Sequence, residues 1–181
     1  FYNTAANHRV HEGVTDSMEV RKTLPISKTC FVCGEENAAG LQANFYVEDG
    51  AVKMPLTVRP EHCGYPNVVH GGVVTAALDE CMAWAASRAI GRMCVTGDLT
   101  VRFIQRAPVG QSLTVSAEVA KAYRLLAHTT ATLTGDDGTV YARAKGRFAP
   151  ISAEETLRVD DGLLYGENTE RLFDHLREKE Q

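Results

Sequence analysis

From residue 71 to residue 90 the chain is apolar nearly all round. Val73, Val74, Ala76, Ala77, Leu78, Cys81, Met82, Trp84, Ala85 and Ala86 are interrupted only by Thr75, Asp79, Glu80, Ser87 and Arg88. Twenty helical residues extend roughly 30 Å, and a helix with no polar side belongs inside a core. Gly91 is placed to end it as a left-handed cap. Downstream, residues 96–104, 112–120, 126–134 and 139–149 alternate with period two. In the second, Leu113, Val115, Ala117 and Val119 point one way and Ser112, Thr114, Ser116 and Glu118 the other. Pro108-Val109-Gly110 and Asp136-Asp137-Gly138 supply turns between these strands, and Asp49-Gly50 joins residues 42–48 to 51–58 as an upstream hairpin. The pattern predicts an α+β fold in which an antiparallel sheet lays its dry face around one long central helix.

The flanks are plainer. Residues 1–24 show no period, so a loosely ordered lead-in over 1–28 is expected, then a main domain over 29–152 and a C-terminal extension over 153–181. In that extension Leu172, Phe173 and Leu176 form one stripe, predicting a short amphipathic helix within 168–181. No internal repeat interrupts this order.

Composition narrows the classes of function. A length of 181 residues suits one domain, and 44% hydrophobic with 23% charged residues is ordinary globular usage. Net charge is -4 and no Lys/Arg run exceeds two residues, so the electrostatic footprint of a nucleic-acid binder is missing. No stretch reaches the roughly 18 uncharged apolar residues of a membrane span, and the first residues are too polar for a signal peptide. A cytoplasmic protein without a membrane partner is expected. Five cysteines, an odd number beside a full-sized core, are read as reduced thiols rather than a disulfide framework.

The chemistry concentrates at the helix. Gly71 and Gly72 open it, leaving backbone N–H groups bare at the positive end of the helix dipole, where a carbonyl oxygen gaining charge would be stabilised. Asp79 lies two turns below Gly71 on the face of Thr75, whereas Glu80 is rotated about 100° away. A carboxylate on an apolar helix loses solvation, which raises its pKa and improves it as a base near neutrality. The plainer alternative is that both acids bond arginine or backbone near a subunit seam. His70 is read as the anchor of the Gly71-Gly72 backbone rather than as a catalyst.

These residues carry a resemblance. V-H-G-G-V-V-T-A-A-L-D-E, with Asp79 nine positions after His70, resembles the helix signature of PaaI-like and hydroxybenzoyl-CoA-type thioesterases of the hotdog superfamily. The segment from Thr96 to Phe103, the Ala107–Gly110 turn and the 142–148 strand resemble the family's later elements, so the likeness runs from about residue 40 to 149. It implies a hotdog fold, subunits paired through their sheets as a dimer or tetramer, and an acyl-CoA substrate hydrolysed at the seam without a cofactor. It further implies that the Gly71 N–H polarises the thioester carbonyl, that Asp79 of the partner subunit is base or nucleophile, and that Thr96 assists. Glu80 is the fallback carboxylate. His70, Gly72 and Asn67 fall to substrate binding. Relatives with a water-orienting Asn six residues before the His have Gly64 there in this chain. An acyl-CoA-binding protein without turnover and a hotdog hydratase or dehydratase are the rival functions.

Two further clusters stand out. Cys30-Phe31-Val32-Cys33-Gly34, followed by Asn37, Gly40 and Leu41, resembles the C-F-V-C-G opening of one branch of these thioesterases, with Ala38 where a Pro is usual. Cys30 and Cys33 also suit a zinc knuckle that His62 or Cys63 could close, but one such pair is half a site, and packed thiols without metal are expected. Arg143, Lys145 and Arg147 alternate on one strand face, with Arg102 and Arg106 nearby. Arg143 and Arg147 are assigned to the phosphates of coenzyme A, against the alternative of a solvated sheet face.

Overall fold

A computed structural model describes residues 21–178. The central helix α1 spans Gly71–Ile90, with His70 as N-cap and Gly91 as C-cap at φ 74° and ψ 24°, its N–H donating to the Ser87 carbonyl. Before it lie β1 (Ile26–Ser27), β2 (Tyr46–Glu48), β3 (Ala51–Thr57), β4 (Cys63–Tyr65) and β5 (Val68–Val69). After it come β6 (Cys94–Phe103), β7 (Ser112–Tyr123), β8 (Leu126–Gly135) and β9 (Val140–Pro150), then α2 (Ala153–Asp160), β10 (Leu163–Leu164) and α3 (Asp174–Arg177). The upstream hairpin turns at Asp49 and Gly50, both at positive φ (52° and 80°), as a turn matching the twist of paired strands requires. Of the strand expected over 42–48 only Tyr46–Glu48 forms; Gln42 sits at φ 52°, and the Ala43 N–H donates to the Val32 carbonyl at 2.9 Å.

Six strands form one antiparallel sheet in the order β2-β3-β7-β8-β9-β6. Its inner face carries Val115, Ala117, Ala131, Leu133, Ala142, Ala144 and Phe148, all buried against Leu78, Met82 and Ala86 of α1. Alanines at the middle of β8 and β9 let the sheet close tightly around the helix. This is the sheet-around-helix arrangement the hydrophobic pattern predicts and the hotdog fold the resemblance implies. No helix among the described residues is long and apolar enough to cross a membrane.

The ends dock on this core. Leu24 is buried, β1 pairs with β10 through Ile26↔Leu164, and residues 1–20 of the expected lead-in lie outside the described residues. A capping box starts α2: Ser152 Oγ accepts from the Glu155 N–H at 3.1 Å, and Glu155 Oε2 accepts from the Ser152 N–H at 3.3 Å. The expected tail helix is short among the described residues, Asp174–Arg177. Residues 168–170 bond Thr23 instead: the Thr23 N–H donates to the Asn168 carbonyl at 3.1 Å, and the Glu170 N–H to the Thr23 carbonyl at 2.9 Å.

Candidate active site

The N-terminus of α1 is shaped by His70. Its Nδ1 accepts from the Gly72 N–H at 2.9 Å, and its carbonyl accepts from Val73 and Val74 at 2.9 and 3.1 Å. The Gly71 N–H is left without a partner among the described residues, at the helix end where partial positive charge gathers. It borders a pocket of about 390 Å³ lined by Gly64, His70, Val74, Phe103, Arg106 and Tyr141, among others. Gly64 lies against His70, for a Cβ there would stand 3.1 Å from the His70 Cα. Any side chain at this position would press on the residue that sets the helix entry.

Asp79 is half-buried, and its Oδ1 accepts from the Thr96 hydroxyl at 2.8 Å. Thr96 is aimed there by a bulge: the register of β6 on β9 shifts between Thr96 and Asp98, at Gly97. Burial pushes the Asp79 carboxyl above the usual range, and the hydrogen bond from Thr96 pulls partly the other way. Eight helical steps separate Asp79 from Gly71, a rise of roughly 12 Å. Asp79 does not border the Gly71 pocket. Thr75, on the same face, spends its hydroxyl on the Gly71 carbonyl at 2.9 Å.

Glu80 points elsewhere, as its rotation on the helix predicts. Its Oε1 lies 3.6 Å from Cys30 Sγ and 3.7 Å from Cys33 Sγ. Loss of solvation, together with the neighbouring Cys30, pushes the Glu80 carboxyl up to about 8. His62 does not join this group. Its Nε2 pairs with the Ala39 carbonyl at 2.8 Å, and its ring meets Phe31 edge-on at 6.2 Å.

Of the remaining residues singled out in the sequence, Asn67 sits at φ 60° in the turn between β4 and β5, its carbonyl accepting from the Val109 N–H at 3.2 Å. Arg143 and Arg147 project from the outer face of β9, away from α1, and Arg147 pairs with Asp98. Arg143 stands directly opposite Arg102 of β6. Trp84 and Met82 are core residues at 4% and 0% exposure. Phe103, Gln105, Arg106 and Tyr141 line the pocket although no local pattern marks them. Only the crossing of β6 and β9 beside the helix entry brings them together.

Comparison with known proteins agrees with the fold. Residues 66–142 match the family model described as the thioesterase superfamily. Among curated proteins, none matches the chain. A solved thioesterase superfamily protein is 26% identical with a TM-score of 0.64 over 68% of this chain and 64% of that one, so this chain spans just under two thirds of its length. The Escherichia coli PaaI protein from the phenylacetic acid degradation operon is 19% identical, with a TM-score of 0.57 over 62% of this chain and 81% of that one. A hypothetical thioesterase from Streptococcus pneumoniae, solved with coenzyme A, is 18% identical, with a TM-score of 0.54 over 58% and 84%.

Proposed function

We propose that this chain, a hotdog fold similar over residues 66–142 to the thioesterase superfamily, is an acyl-CoA thioesterase whose active sites lie between two subunits. The observation that carries the reading is a separation. The bare Gly71 N–H opens on a pocket, while the half-buried carboxylate able to use it lies roughly 12 Å along the same helix. One chain therefore holds two halves of a hydrolytic site that cannot meet on one carbonyl. The ten-residue strand β6 is an open sheet edge, with Val95 and Phe103 each 54% exposed. Pairing of two such edges antiparallel would bring the partner subunit's Asp79 toward the Gly71 pocket.

In that arrangement the thioester carbonyl oxygen accepts from the Gly71 N–H and gains the helix dipole. His70 fixes that N–H by capping Gly72. The partner subunit's Asp79, oriented by Thr96, removes a proton from the attacking water or attacks the carbonyl carbon itself. In the first route the C–S bond breaks, the free acid departs and the coenzyme A thiolate takes the proton back from the carboxyl. In the second the thiolate leaves as an acyl–carboxylate anhydride forms, and water then splits the anhydride, freeing the acid and the carboxylate and supplying the thiol proton. Phe103 and Tyr141 give the pocket an apolar wall for the acyl group.

Coenzyme A is supported as the thiol carrier by the outer cations and by the structural likeness to the protein solved with it. Arg102 and Arg143 face each other across the β6–β9 ladder, a like-charge pair that disfavours the sheet unless an anion lies between them. Arg106 at the pocket offers a further cation, whereas Gly72 and Asn67 are not among the residues that line it. Free-thiol release from a panel of acyl-CoA esters tests the reading. Turnover that falls at least about a hundredfold in Asp79→Asn, with fold and subunit association intact, is expected of a lost general base. Tight acyl-CoA binding without thiol release would instead make the chain a binding protein. An active Asp79→Asn variant would remove the assigned carboxylate.

A further inference from the structure

We propose that Cys30, Cys33 and Glu80 form a zinc site that fastens the loop before β2 onto α1. The three donor atoms lie within 4.8 Å of one another, although they come from segments 47 or more residues apart in sequence. A tetrahedral zinc with Zn–S near 2.3 Å and Zn–O near 2.0 Å sets S···O separations of about 3.5 Å. The separations here are 3.6 and 3.7 Å, both to the same carboxylate oxygen.

Backbone N–H groups are aimed at both sulfurs. Cys30 Sγ accepts from the Val32 and Cys33 N–H groups at 3.3 and 3.5 Å, and Cys33 Sγ from the Ser27 N–H at 3.4 Å. This knuckle requires glycine at 34. A Cβ there would lie 2.4 Å from the Cys30 carbonyl oxygen, and the Gly34 N–H donates to that oxygen at 2.9 Å. Two sulfurs and one carboxylate oxygen thus converge on one point, half-shielded from water. Yet Glu80 has no ion pair with Lys, Arg or His among the described residues. A divalent cation would displace the thiol and carboxyl protons and serve as counterion to all three groups.

Two thiolates with one carboxylate select a borderline-soft ion such as zinc over magnesium or calcium. Cys30 is only partly buried, so water can complete the tetrahedron. His62 and Cys63, the ligands suggested by the sequence, lie outside the cluster. Because Glu80 adjoins Asp79 on α1, the ion would hold the Cys30–Gly40 loop over the helix beside the candidate base, as a structural clamp rather than a reacting centre.

The test uses the full chain, purified under reductant from zinc-supplied cells, and reads metal rather than turnover. Elemental analysis should give one zinc per chain. After chelation, titration with cobalt(II) should produce thiolate-to-metal charge-transfer and tetrahedral d–d bands that saturate at one equivalent. Cys33→Ser should abolish the bands, and Glu80→Gln should weaken cobalt affinity at least about tenfold, as loss of supporting carboxylates does at known metal sites. Zinc should also raise the melting temperature of the wild type. Since the wild-type titration needs no variant to fold, it decides alone. Reduced protein that holds well under one zinc and gives no charge-transfer band overturns the site, as does a stable Cys30–Cys33 disulfide as the form that persists under reductant.

Discussion

At Thr96 a single hydroxyl holds the carboxylate on which the proposed chemistry turns. It donates to Asp79 at 2.8 Å across the β6 bulge, and a hydrogen bond to a charged group contributes about 1.5–3 kcal/mol. Thr96→Val should therefore lower kcat about tenfold or more, well short of Asp79→Asn, in steady-state hydrolysis of the same acyl-CoA ester. A variant as fast as the wild type would show that the hydroxyl does not position the base. His70 acts through backbone. Its ring caps the Gly72 N–H at 2.9 Å, so His70→Ala should cost about 1 kcal/mol in denaturant unfolding, the usual cost of a lost N-cap. Its turnover should drop as the Gly71 N–H loses its fixed direction. A pH profile of kcat that keeps its shape in His70→Ala would separate this anchoring role from proton transfer.

The long helix owes its place to packing rather than to propensity. Leu78 and Met82 are wholly buried where the sheet wraps around it, and removing a large buried side chain leaves a cavity the tight alanine-lined strands cannot fill. Leu78→Ala should destabilise by about 2–5 kcal/mol in chemical denaturation. A loss below 1 kcal/mol would mean that the sheet relaxes onto the helix. The helix terminus is a backbone matter. Gly91 sits at φ 74° with its would-be Cβ 3.1 Å from the His175 ring, so Gly91→Ala meets both strain and a contact that α3 must yield. A melting temperature lowered by a few degrees is the expected result.

For the whole molecule the proposed assembly rests on the exposed β6 edge. A ten-residue strand with free backbone donors and acceptors, flanked by exposed Val95 and Phe103, invites pairing with a second copy. Sedimentation at micromolar concentration should show a dimer or a dimer of dimers, with specific activity falling on dilution through its dissociation. A stable and fully active monomer would sink the shared-site reading and with it the role given to the partner subunit's Asp79.

Much of this was legible in the chain. The apolar run from Gly71 to Ile90 and the period-two strands determined helix and sheet, because burial on all sides and burial on one side leave different periodicities. The helix α2 was not read from the sequence, although the Ser152-x-x-Glu155 spacing that caps it is a local signal. The rotation between Asp79 and Glu80 followed from helix geometry alone. What Glu80 meets did not, since Cys30 and Cys33 reach it from 47 to 50 residues away. Nor could any local signal bring Phe103, Arg106 and Tyr141 to one pocket. Side-chain periodicity is a property of neighbours along the chain, whereas a site is made where distant segments cross. Strand order and register fix those crossings, and only the folded chain determines them.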